Sequence, residues 1–169
     1  MARLSVITLA ACTAILLGSA VHAQQPATPV APPPPPPAYG VPITLDQARA
    51  AIAAGQAEMK KNGWNQVTAV VGPGGSLVAF EKVDLAAYAS VDIAQDKARM
   101  SASFRVPTKV YQERVAGGDT FLLALRGVVP AAGGIPIVTG GKVIGAVGVS
   151  GGTPMQDHQV AQAAIDAVK

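Results

Sequence analysis

Six consecutive prolines, Pro32–Pro37, divide this chain in two. Proline fixes φ near −65° and has no N–H, so such a run extends as polyproline II and cannot enter a hydrogen-bonded core. Pro26, Pro29 and Pro42 flank it. Residues 24–42 are therefore predicted to be a disordered, proline-rich linker, and any globular core has to lie beyond it. The run could serve a proline-recognising domain as a ligand, but a semi-rigid spacer is the simpler reading.

The segment before the prolines has the three-part layout of a secretory signal. Arg3 supplies the charge, Leu4 to Val21 a mostly apolar stretch, and Val21-His22-Ala23 a small-residue cleavage site. Residues 1–23 are expected to be a signal peptide cut near Ala23, which makes the mature protein periplasmic or secreted. An uncleaved anchor is the alternative, since the apolar run approaches the roughly 20 residues a membrane span needs. The Gln24-Gln25 that follows Ala23 favours cleavage. Leu9-Ala10-Ala11-Cys12 looks like a lipoprotein box, yet Thr13 to Val21 continue the apolar run that such a box should end.

Cleavage would also limit the chemistry. Cys12 is the only cysteine, so the mature chain would have no disulfide, no thiolate nucleophile and no cysteine-ligated metal. Loss of Arg3 leaves 12 basic and 10 acidic residues, a formal charge of +2. No basic cluster exceeds Lys60-Lys61, so nucleic acid is not an expected partner.

From Ile43 the pattern is that of one domain of roughly 127 residues, enough for a single core. Thr44-Leu45-Asp46-Gln47 is a capping box, followed by the stripe Leu45, Ala48, Ile52 and Met59, with Gly63 closing the helix. Val67–Val71 and Leu77–Val83 are predicted strands joined through Gly72-Pro73-Gly74-Gly75. Residues Tyr88 to Phe104 are helical with two apolar stripes. Val91, Ala94, Ala98 and Ala102 make one, and Ile93, Met100 and Phe104 the other. Two stripes suggest one face on the sheet and one on another subunit. Asp92, Asp96 and Arg99 read as a solvated salt-bridge face. Pro107 breaks the helix and opens a short one from Thr108. Residues Asp119 to Gly134 read as a packed loop with a helical turn. Ile135–Val138 and Lys142–Val149 form a second hairpin through Gly140-Gly141, and Thr153-Pro154-Met155-Gln156 starts the last helix.

Several of these segments in order resemble the GlcG/HbpS heme-binding family. They are Ile43 to Ala48, the Val70–Phe80 hairpin, Lys97-Ala98-Arg99, Arg105-Val106-Pro107-Thr108, Gly133 to Val138, and Ile144 to Gly152 leading into Gln156-Asp157. The resemblance spans essentially all of 43–169. It implies an α/β, profilin-like fold of three layers, α/β/α, with an antiparallel sheet built from two hairpins. It also implies homo-oligomers and heme as a cofactor, with a sensor or membrane protein as a partner for secreted members. Other members stand beside glycolate or diol metabolism, so an enzyme or enzyme accessory for a small metabolite is an alternative, as is a partner-binding module without a cofactor.

Heme iron takes His, Met, Cys or Tyr. The mature chain would offer His158, its sole histidine, with Met155 three residues earlier on the same helix. Met59 and Met100 fall on core stripes and read as packing. Arg105 and Lys109 could meet propionates at the helix start marked by Thr108, where free N–H groups favour an anion, and Tyr111 follows on that helix. Each residue also has an ordinary reading, His158 as a surface histidine and Arg105–Lys109 as a solvated helix start. No catalytic constellation stands out and the chain is not expected to be an enzyme. Gly148-Val149-Ser150-Gly151-Gly152 has the form of a nucleophile elbow, but no base is placed near Ser150 in sequence.

Overall fold

A computed structural model describes residues 34–168. The predicted signal segment and residues 24–33 of the predicted linker lie outside the described residues. Nine regular elements and one 3₁₀ turn follow in the order β1 (Ala38–Tyr39), α1 (Leu45–Asn62), β2 (Val67–Val71), β3 (Leu77–Lys82), α2 (Ala89–Phe104), α3 (Thr108–Ala116), the 3₁₀ turn Thr120–Ala124, β4 (Gly134–Thr139), β5 (Lys142–Ser150) and α4 (Pro154–Asp166).

The sheet is built around β5. It pairs antiparallel with β4 on one side and with β2 on the other, and β2 carries β3 as the outer strand. Gly140 and Gly141 both have positive φ, 57° and 72°, as the tight turn between β4 and β5 requires. Helices α1 and α4 cover one face, where Ile52, Met59, Val70, Ile137, Val147 and Val160 share a core. Helix α2 covers the other through Ala94, Ala98 and Ala102, packed on Val67, Ala69, Val71 and Ala146. Strand β2 is buried along its whole length because its alternating side chains serve both cores. The result is the expected three-layer α/β/α arrangement.

Local signals in the sequence account for the helix ends. Thr44 and Gln47 form the complete capping box of α1, as Thr153 and Gln156 do for α4. Such caps are worth about 1 kcal/mol each. Gly63 ends α1 in the left-handed conformation. Helix α2 closes differently, on Arg105 with φ 60°, a conformation that costs a non-glycine residue about 1 kcal/mol.

Two expectations need correction. The linker does not run to Pro42. Ala38 and Tyr39 pair in parallel with Lys142 and Val143, and the Gly40 amide donates to Val143 O at 2.9 Å. They occupy the flank of β5 beyond the end of β2, where backbone groups would otherwise lack partners. Tyr39 Oη then donates to Ala102 O and Ser103 O, and the Arg105 guanidinium stacks on its ring while Nη1 donates to Pro37 O.

The second stripe of α2 is also largely covered from within the chain. Met100 is buried and its sulfur accepts from the Val129 amide, and Phe104 meets Tyr111 of α3 edge-on at 5.3 Å. The segment between α3 and β4 folds back over this face. Of that stripe only Ile93 stays open, at 40 % exposure.

Candidate functional site

The turn from β5 into α4 gathers the polar chemistry of the domain. Strand β5 ends at Ser150, and Gly151 turns the chain with φ 131°. A side chain there would strike Asn65 O and Gln66 Cα, each 2.9 Å from where its Cβ would lie. Thr153 caps α4 and Pro154 takes its first position. The first turn then sets Met155 and His158, three residues apart, on one side of the helix and Asp157 inward, since successive residues on a helix lie about 100° apart.

Asp157 points inward. Its Oδ2 accepts from Lys97 Nζ of α2 at 2.7 Å, and its Oδ1 accepts from Gln66 Nε2 at 2.8 Å and from the Gly152 amide at 2.9 Å. Lys97 Nζ also donates to Val149 O at 3.1 Å. Both side chains are 3 % exposed, so this is a dry ion pair. Removing one partner of such a pair costs about 3–5 kcal/mol, because the other charge is stranded. The close fit extends to Gly133, whose added Cβ would lie 2.7 Å from Asp157 Cβ and 3.0 Å from Lys97 Nζ.

His158 points sideways and is half-buried, with Met155 beside it at 50 % exposure. Its Nδ1 is buried and has no hydrogen-bond partner among the described residues. Burial pushes its pKa below the ordinary 6.5, and the nearby Lys109 ammonium pushes it the same way against the opposing pull of Glu113. The imidazole is therefore neutral at pH 7 and keeps a lone pair on one nitrogen. Lys109 and Glu113 are themselves 3.8 Å apart on α3.

The structure thus brings His158, Met155 and Lys109 into one neighbourhood and gives other tasks to Arg105 and Thr108. Thr108 is a correction. It is fully buried, its Oγ1 accepts from the Gly134 amide, and it ties α3 to β4 where no ligand reaches it. Arg105 holds the β1 segment through Tyr39 and Pro37, so it is not a free anion ligand. Tyr111 is half-buried between Phe104 and Arg114. Ser150 is a buried strand residue opposite Val67, not an exposed turn residue.

Sequence reasoning missed the Lys97–Asp157 pair, which links residues 60 apart. One signal was present: on the helical wheel Lys97 shares a face with Ala94, Ala98 and Ser101, all of them buried. It also missed Glu113, the carboxylate that acts on His158 from another helix. Among the described residues, no three His, Cys, Asp or Glu side chains gather in a way that could hold a bare metal ion.

The family model described as "Haem degrading protein HbpS-like" matches residues 43–166. The chain belongs to the HbpS-like family. A curated relative, Protein GlcG of Escherichia coli strain K12, is 44 % identical over 108 residues, which are 64 % of this chain and 81 % of that protein. Among solved structures, HbpS superposes with a TM-score of 0.71 at 28 % identity, covering 77 % of this chain and 92 % of that one. A PduOC:heme complex superposes equally well, at 0.71 and 25 % identity, over 76 % of this chain and 96 % of that one. The HbpS-like match begins at Ile43, so strand β1 with Tyr39 stands before it, while Arg105, which stacks on Tyr39, lies within it.

Proposed function

We propose that this HbpS-like protein binds heme through His158. The observation that carries the reading is the neutral imidazole whose buried Nδ1 has no partner, set beside an exposed thioether and a lysine. A porphyrin iron suits this donor set, because one or two side-chain donors suffice and the macrocycle supplies the rest. Bound heme would supply the redox-active iron. The chain's own part would be to offer His158 as an iron ligand, Met155 as a second soft donor or as apolar cover, and Lys109 as a partner for a propionate carboxylate. The likeness to a heme complex supports the reading.

We infer further that the protein works after export, as a periplasmic or secreted homo-oligomer in heme or redox sensing. The signal-like start of the sequence supports the location. The open apolar surface of Val110, Phe121, Leu123 and Leu125, each at least 40 % exposed, supports association. The family's description favours a second reading in which bound heme is broken down.

Hemin titration followed by absorbance tests the binding. A saturable Soret band that weakens at least tenfold in affinity in His158→Ala is the expected result. No band at micromolar hemin removes the proposal, and an unchanged band in His158→Ala removes the ligand assignment. Loss of the band over time in the presence of a reductant and oxygen would favour breakdown over binding alone.

A further inference from the structure

We propose that Lys97 and Asp157 are positioning residues for His158. The inference rests on the heme reading above and names the device that sets its ligand. Asp157 precedes His158 in the first turn of α4, and the Asp157 carboxylate is the point at which that turn is fixed to the rest of the domain. Four groups converge there or on its partner: Gln66 ahead of β2, Gly152 in the turn, Lys97 on α2, and Val149 O on β5. They hold the turn from three directions, and the neighbouring imidazole has no hydrogen bond of its own from Nδ1 to orient it.

A ligating histidine is ordinarily held by a hydrogen bond to its second nitrogen. Here the Nδ1 that would make such a bond is without a partner, so orientation has to come through the backbone. The ion pair supplies it. The pair is larger than capping needs, since Thr153 and Gln156 already complete the capping box of α4. An ion pair this dry adds little net stability over apolar residues of similar volume, and its best-attested use is to fix one arrangement among several. Fixing the register of α4 against β5 is that use in this fold.

The test uses the full chain with two sets of changes. Asp157→Asn keeps the shape but strands the Lys97 charge. Lys97→Met with Asp157→Leu replaces the pair by apolar groups and remains measurable if the single variant fails to fold. Folding is checked by far-UV circular dichroism, and the His158 ring is followed by NMR in heme-free protein. Hemin affinity and the electron paramagnetic resonance signal of the ferric complex report the ligand.

The expected result is a folded double variant with a broadened or shifted imidazole signal, roughly tenfold weaker hemin binding and an altered ferric signal. A folded variant with the wild-type ring signal, affinity and ferric spectrum would overturn the positioning role, because a merely structural pair would change only the melting temperature. Failure of the wild type to bind hemin, or an unchanged His158→Ala, removes the underlying heme reading and this role with it. That outcome is seen in controls that do not involve Lys97 or Asp157.

Discussion

The two faces of the sheet are packed by opposite means. Towards α1 and α4 the core is made largely of Ile, Val and Met side chains, with the helix alanines Ala48, Ala51, Ala161 and Ala164 among them. Towards α2 it is made largely of alanines, and the helix lies so close to β5 that a Cβ on Gly148 would collide with Ala94 O and the Ala98 backbone. The first face is stable because side chains fill space. The second is stable because its side chains are mostly small, which lets the α2 backbone approach β5 closely at Gly148. Close approach on the second face is also what lets the side chain of Lys97, on α2, reach Val149 O and Asp157 across the sheet's end.

This contrast predicts opposite sensitivities. The largest effect should come from growth on the α2 face. Gly148→Val should prevent stable folding, a loss beyond about 4 kcal/mol, visible as missing cooperativity in a thermal melt. On the α1/α4 face, shrinkage should matter instead. Ile137→Ala should remain folded but lose about 2–5 kcal/mol in urea unfolding. If both changes cost the same, the two faces are not packed differently.

Smaller effects sharpen the picture at the edges. Tyr39→Phe removes the hydroxyl that donates to Ala102 O and Ser103 O and should cost about 1 kcal/mol, read as faster amide exchange at Gly40. The pH dependence follows from His158. Its folded pKa lies below the ordinary 6.5, so the unfolded chain binds the proton more readily. Stability should decline as pH falls from that value through the folded pKa, and His158→Gln should flatten the slope. Least of all, Asp96→Ala should change stability by under about 0.5 kcal/mol, because its pair with Arg99 is half-exposed.

Local features of the fold were legible in the sequence. The Thr44/Gln47 and Thr153/Gln156 boxes and the Gly140-Gly141 turn each depend on residues a few positions apart and appear where the spacing placed them, and of the stripe of α1 Ala48, Ile52 and Met59 are buried while Leu45, in the first turn, is exposed. What was hidden depends on distant partners. β1 was concealed by the prolines before it, and its pairing with Lys142 and Val143 rests on backbone groups that carry no residue-specific mark. Lys97 was given no structural role in the sequence because its carboxylate, Asp157, lies 60 residues away on another helix. At the candidate site, the spacing of Met155 and His158 was readable along one helix, whereas the approach of Lys109 and the internal role of Thr108 depend on how α3 is packed.

The short β1 segment also bears on how the domain responds to load. Any tension drawn through the N-terminal chain enters the fold at Ala38 and Tyr39, ahead of α1. A few contacts stand there: two residues of parallel pairing, the Gly40 amide, the Tyr39 hydroxyl, the Arg105 stack and the Arg105 hydrogen bond to Pro37 O. These should peel away at low force. The next hydrogen bond along the chain, from the Ile43 amide to Ile144 O, belongs to the main core and should resist, so under load residues 34–42 would be drawn out before the rest of the domain begins to yield.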